Sequence, residues 1–141
     1  MAQFEQSFIG LDTSLQESRQ FVSSVLAEID WSDREIDLQL AIGEVTQNII
    51  RYAFKGGDAQ GLMTVAFDFR DQVLTCTITD NAPPVDPSNW MAKAEKRRPD
   101  EGGYGLTIIS AIADEYEVKP LTDGNQSRLV FSSAEQAPEK G

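Results

Sequence analysis

Between Glu35 and Asp80 the spacing of apolar residues changes its period, and that change constrains the fold more than any other feature of the chain. Leu38, Ala41, Ile42, Val45, Ile49 and Ala53 recur at i, i+3, i+4 and i+7, the stripe of an amphipathic helix. From Gly61 the pattern alternates. Met63, Val65, Phe67 and Phe69 share one side; after the short "RDQ" link, Leu74, Cys76 and Ile78 do the same, with Thr75, Thr77 and Thr79 opposite. Strands joined so tightly form a hairpin with one buried face and one wet face. A one-faced helix and a one-faced hairpin are stable only when packed together.

The flanking segments extend this plan. "QFEQSFIGLD" alternates through Phe4 and Phe8 and reads as an edge strand. "TSLQESRQFVSSVLAEID" has helical spacing through Leu15, Arg19, Val22, Leu26 and Ile29. Ser32 and Glu35 form a capping-box pattern, which predicts a second helix from there to about Phe54, ended by "KGGD". Residues 81–101 are irregular and hold four of the six prolines, with Lys93, Lys96, Arg97 and Arg98 close together. "GGYGLTIISAIAD" starts a third helix, and "EYEVKPL" and "QSRLVFSS" read as strands joined by "TDGN". The expected architecture is an α/β (α+β) two-layer sandwich. Three helices cover one face of a mostly antiparallel, or mixed, sheet, in one domain over residues 1–134 with a frayed tail at 135–141.

Composition excludes several chemistries. The chain has no histidine and one cysteine, Cys76. Ser-His and Cys-His triads, His-ligated zinc, an intrachain disulfide and a histidine phosphoacceptor in cis are therefore ruled out. A formal charge of −11 argues against direct nucleic-acid binding, which needs a basic footprint. No apolar run approaches the roughly 20 residues of a bilayer span. "MAQFEQSF" lacks the basic and apolar regions of a signal peptide, so a cytoplasmic location is expected.

Four features bear on function. Glu44, Asn48 and Arg51 project from the second helix as a polar row beside the stripe. Two roles suit the first pair: solvated surface positions, or an amide oxygen and a carboxylate that share a divalent cation and a reacting hydroxyl. Asp80 continues the inward row at the end of its strand, where a carboxylate needs a donor. Such an aspartate either caps a turn or accepts from an exocyclic amino group. The glycines of "EGGYGL" open a helix, as a tight connection or as a phosphate cradle. No Gly-Lys-Ser/Thr follows, so this is not a P-loop.

The order of these parts resembles the nucleotide-binding domain of the GHKL (histidine-kinase-like) ATPases, of gyrase, Hsp90, histidine kinase and MutL type. Within that group it looks most like the bacterial anti-sigma factors that are serine/threonine kinases. The resemblance runs from about Phe4 to Phe131. It implies the Bergerat ATP-binding fold, with ATP and Mg²⁺ as cofactors. "AIGEVTQNIIRYAF" is similar to the family's N box, which implies Asn48 as the Mg²⁺ ligand and Glu44 as the general base. "DNAPPVDP" is similar to the first glycine box, implying Asp80 on the adenine amino group. "GGYGL" is similar to the second, implying Gly102, Gly103, Tyr104, Gly105 and Leu106 at the phosphates. Arg97 and Arg98, with Lys93 and Lys96, fall in the lid region; Ser127 falls where the family often has a threonine near the nucleotide, and Arg19 where relatives turn an arginine to the partner. The implied activity is phosphorylation of a STAS-domain anti-anti-sigma protein on Ser or Thr, and sequestration of a sigma factor or analogous target. A homodimer is implied too, and the charge and hydropathy already noted leave neither nucleic acid nor membrane as an expected partner. Two departures stand out: Ala82 and Pro84 replace both glycines of D-x-G-x-G, and Tyr52 replaces a frequent histidine. Alternatives are a nucleotide-binding regulatory module without kinase activity and a partner-switching kinase with a non-sigma target.

Overall fold

In the computed structural model, which describes residues 2–84 and 105–133, the hairpin becomes the centre of a five-stranded sheet. β1 (Ala2–Gly10), β2 (Asp58–Arg70), β3 (Val73–Asp80), β4 (Glu115–Leu121) and β5 (Gly124–Ser132) lie in the order β1-β2-β3-β5-β4. Every neighbouring pair is antiparallel, and β1 is an edge strand as its pattern suggested. Asp71 and Gln72 join β2 to β3 with φ of 53° and 63°, the two left-handed residues of a type I′ hairpin turn. Thr122 and Asp123 make the second tight turn, so Gly124 of "TDGN" is already in β5. Among the described residues three α-helices complete the sandwich: α1 (Ser14–Glu28), α2 (Glu35–Asn48) and α3 (Gly105–Ile112). Among the described residues no helix is long and apolar enough to cross a membrane.

The core lies where the helical stripes meet the inward row of the sheet. Phe8, Met63, Val65, Phe67, Leu74, Cys76, Ile78, Leu129 and Phe131 face Val22, Leu26 and the whole α2 stripe, all buried. The opposite face carries Thr64, Thr75, Thr77 and Thr79, half-buried. Burial pushes the Cys76 thiol far up, so it is an apolar core group and no nucleophile. In α1 the buried row is Ser14, Ser18, Val22, Val25 and Leu26. Arg19 is exposed, and small serines take the buried positions where α1 approaches its neighbours.

α2 departs from expectation at both ends. Ser32–Arg34 form a single 3₁₀ turn, α2 begins at Glu35, and neither has a side-chain cap hydrogen bond. A tertiary anchor replaces the capping box. The Arg34 guanidinium stacks 4.7 Å from the Trp31 ring, and its Nη1 donates to the Ser132 carbonyl at 2.6 Å. Trp31 in turn meets Phe69 edge-on at 5.3 Å. At the far end α2 widens into a π-helical turn, Ile49–Ala53, with the Phe54 N–H donating to the Ile49 carbonyl at 2.9 Å. The extra residue in that turn brings Ile49, Ile50 and Ala53 inward together and carries the Phe54 ring onto the sheet.

Phe54 lies against two glycines. A Cβ on Gly10 would sit 2.7 Å from the ring, and one on Gly61 would sit 2.6 Å from it. The β1–β2 register breaks at the same place, after Ile9, so the ring fills the gap that the irregular strands leave. We expect Phe54→Ala to lower the unfolding free energy by about 3–5 kcal/mol. Urea denaturation would show a lower midpoint at unchanged slope; a loss under about 1 kcal/mol would mean that the wedge does not hold α2 in place.

Candidate functional site

β3 ends on a charge. Asp80 follows Leu74, Cys76 and Ile78 in the inward row and is 3% exposed. The donors it needs come from two sides. Asn125 sits directly across from it on β5 and donates from Nδ2 to Asp80 Oδ1 at 2.9 Å. The Ala82 N–H donates to the same oxygen at 3.0 Å, an Asx turn that bends the chain away from the strand. Oδ2 is buried and has no hydrogen-bond partner among the described residues. Burial raises the Asp80 pKa above its ordinary value, while the donors of Asn125 and Ala82 pull it back.

The same asparagine reaches the following loop. Asn125 Nδ2 also lies 3.3 Å from the Pro83 carbonyl, so β5 holds residues 80–83 from one side. Asn81 holds them from the other: its N–H donates to the Leu62 carbonyl at 3.2 Å and its Oδ1 accepts from the Leu62 N–H at 2.8 Å. Ala82, between the two asparagines, is buried in the core. The strands meet closely here as well. A Cβ on Gly124 would collide with the Asp80 carbonyl oxygen, so no larger residue keeps Asn125 in this register.

Glu44 and Asn48 reach the same end of the molecule. α2 starts where Arg34 bonds Ser132, opposite Val73 in the register, and finishes where Phe54 covers Gly10 and Gly61. Phe8 beside Gly10 pairs with Met63, and Met63 with Asp80, so the last turns of α2 lie toward the Asp80 end of the sheet. Asn48 is 1% exposed, Glu44 one turn before it is half-buried, and Arg51 is exposed. The expected polar row is thus graded from core to solvent. Tyr52 is half-buried against the core. α3 packs chiefly on α2. Asp114, just beyond its C-terminus, bonds the Val130 carbonyl through its N–H and accepts from the Ser132 N–H. Gly105, at the start of α3, therefore faces away from the Ser132 end.

Of the residues singled out in the sequence, Glu44, Asn48, Asp80, Gly105 and Ser127 stand on elements that converge on this end. Leu106 is half-buried on the core. Ser127 is buried on the inward face of β5, opposite Ile78 and one inward position from Asn125. Gly102, Gly103, Tyr104, Arg97 and Arg98, with Lys93 and Lys96, lie outside the described residues. Asn125 and Asn81 escaped sequence reading. The only signal for Asn125 was its place beside a turn, since strand pairing alone puts it opposite Asp80.

A buried acceptor at the floor of the strand ends fits a base that brings an N–H donor, as the adenine amino group does. The amide and carboxylate on α2 are hard oxygen donors of the kind Mg²⁺ accepts. Beside Glu44 a shallow cleft of about 400 Å³ runs between α1 and α2, bounded by Arg19, Ile36, Gln39, Leu40 and Gln47. Ile36 and Leu40 are exposed along it.

Comparison with known proteins agrees with this fold. The RsbU and RsbW domains of Rv1364c from Mycobacterium tuberculosis superpose with a TM-score of 0.66 at 18% identity, covering 94% of this chain and 32% of that one. The histidine kinase domain of a blue-light activated kinase from Erythrobacter litoralis gives 0.57 at 14% identity, over 86% of this chain and 62% of the other. At these identities the likeness is one of fold. In sequence the chain is similar to the proteins named Serine-protein kinase RsbW of Staphylococcus aureus, 23% identical, and Staphylococcus epidermidis, 25% identical. Each match spans 74% of this chain and 70% of the relative. Residues 10–131, from the bulge under Phe54 to the inward Phe131 of β5, match the histidine kinase-like ATPase domain, and the chain belongs to that family.

Proposed function

We propose that this chain is an ATP-dependent protein kinase of a bacterial partner-switching system. It phosphorylates a serine or threonine of a STAS-domain anti-anti-sigma protein and sequesters a sigma factor or an analogous target. Its similarity to serine-protein kinases of the RsbW type supports the general class. The observation that carries the nucleotide part is Asp80, a buried carboxylate with one oxygen held and the other left for a donor. The proposed working form is a cytoplasmic homodimer of one kinase domain spanning residues 1–134.

The chain's own groups divide the work. Asp80 accepts from the adenine amino group, with Ser127 lining the same wall. Asn48 holds Mg²⁺ through its amide oxygen. Gly105 and Leu106 would meet the phosphates, a role the family resemblance also gives to Gly102, Gly103, Tyr104, Arg97 and Arg98. When bound, Mg²⁺ and ATP supply a phosphoryl group whose charge is partly neutralised. Glu44 takes the proton from the partner's hydroxyl, and its half-exposed position lets that hydroxyl reach it. The α1–α2 cleft that ends at Glu44 presents Ile36, Leu40 and Arg19 to the partner. A buried Ala82 in place of a glycine favours a second reading, a module that binds nucleotide without transferring phosphate.

Labelled ATP, Mg²⁺ and a candidate STAS protein separate the two: transfer to the partner supports the kinase, and binding without transfer supports the module. Glu44→Ala is expected to keep ATP affinity within about twofold and to slow transfer by about 100-fold or more. Undiminished transfer would remove Glu44 from the role of base.

Nucleotide affinity should also depend on pH through Asp80. The folded pKa is raised, so the apo fold is stabilised by the protonated carboxyl at low pH and loses that contribution as pH rises through the raised value. Binding runs the other way, because an amino donor needs the ionised acceptor. Affinity should be full above the raised pKa and fall below it, a step that Asp80→Asn abolishes along with at least about tenfold in affinity. An unaltered pH profile in Asp80→Asn would place the titrating group elsewhere.

A further inference from the structure

Asn125 stands opposite Asp80 with a forked contact that no motif requires. Its Nδ2 group has two hydrogens. One is spent on Asp80 Oδ1 at 2.9 Å and the other is directed at the Pro83 carbonyl at 3.3 Å. The arm to Asp80 is buried, since Asn125 is 1% exposed and Asp80 3%, whereas the arm to Pro83 is only part-buried. A carboxylate on a strand has a broad torsion about its last bond and can turn either oxygen toward a ligand. Here the fork and the Ala82 N–H engage the same oxygen, so the carboxylate is turned one way only. Oδ2 is the atom left without a partner among the described residues. The fork also ties the turn at 81–83 to β5, at the point where Ala82 has replaced a glycine.

We propose that Asn125 is the positioning residue that makes Asp80 selective for a base bearing an exocyclic amino group. It fixes Oδ1 and presents Oδ2 as a pre-aimed acceptor. The selectivity therefore resides in a cross-strand pair, Asp80 with Asn125, and not in the aspartate alone. Gly124 is part of the device because its missing Cβ allows β5 to approach the Asp80 backbone closely enough for the fork to form. The proposal rests on the nucleotide reading above, and its test is arranged to tell the two apart.

The full chain is titrated with Mg-ATP and with Mg-purine riboside triphosphate, which lacks only the amino group. Wild type should prefer ATP by tenfold or more, the span expected for one hydrogen bond to a charged acceptor. In Asn125→Ala that preference should fall to within about threefold, through loss of ATP affinity with little change for the analogue. A role confined to holding the loop would instead weaken both triphosphates equally and leave the preference intact, which overturns the proposal. Asn125→Thr is a second variant suited to a strand. It keeps one hydroxyl donor, and its preference should lie between those of wild type and Asn125→Ala. A threonine variant that folds yet discriminates no better than the alanine variant counts against pre-aiming by a donor. Wild type that binds neither triphosphate overturns the nucleotide reading and this proposal together. Wild type that discriminates while Asn125→Ala discriminates equally overturns the role of Asn125 alone.

Discussion

α2 is held to the sheet at both ends, and the two polar groups it brings to the candidate site, Glu44 and Asn48, take their positions from that restraint. At the start, Arg34 reaches across to the Ser132 carbonyl while its guanidinium lies over Trp31. At the finish, the Phe54 ring covers Gly10 and Gly61, where neither glycine tolerates a Cβ. A slide of one turn, about 5.4 Å, would break both anchors. A rotation of one residue, about 100°, would expose Asn48 and turn Arg51 into the core. The apolar stripe alone resists rotation but not sliding, because i and i+4 positions are nearly equivalent on a helix. The end anchors resist both.

Within that frame the protein buries polar groups where a simple sandwich would place only aliphatic ones. Asp80, Asn125 and Ser127 occupy three inward positions at one end of β3 and β5, and Asn48 lies buried at the last residue of α2. Removing a carboxylate from water is costly unless donors meet it. Asn125 and Ala82 meet one oxygen of Asp80. The other is buried with no partner among the described residues, which is where the proposed nucleotide would bring its donor. The loop after Asp80 follows the same logic. Two asparagines, Asn81 and Asn125, bond it to β2 and β5, so side chains secure a turn that glycine was expected to shape through backbone freedom.

What could be read along the chain was whatever depends on local period. The stripe of α2, the β2–β3 hairpin, the edge position of β1 and the inward phase of Asp80 all follow from spacings of two or about 3.6 residues. Those spacings survive folding because burial selects them. The misreadings had nonlocal causes. The Ser32–Glu35 box lost to an anchor 98 residues away in sequence, between Arg34 and Ser132. Ser14 and Ser18 went unread, although they pack closely and take the buried row of α1. Phe54 is the helix end that was read, but its role as a wedge appears only with Gly10 and Gly61 beneath it.

The sequence by itself determined a sandwich of helices on an antiparallel sheet, an amide and a carboxylate one turn apart, and an aspartate in phase with a buried row. Periodicity is written in one dimension, and those features need nothing more. Only the tertiary structure decided that Asn125 faces Asp80, because that pairing depends on the register of β3 against β5 across 45 residues. It also decided which oxygen of Asp80 is held and which is left. A carboxylate's orientation is set by the donors around it, and those donors come from strands and turns that only folding brings together.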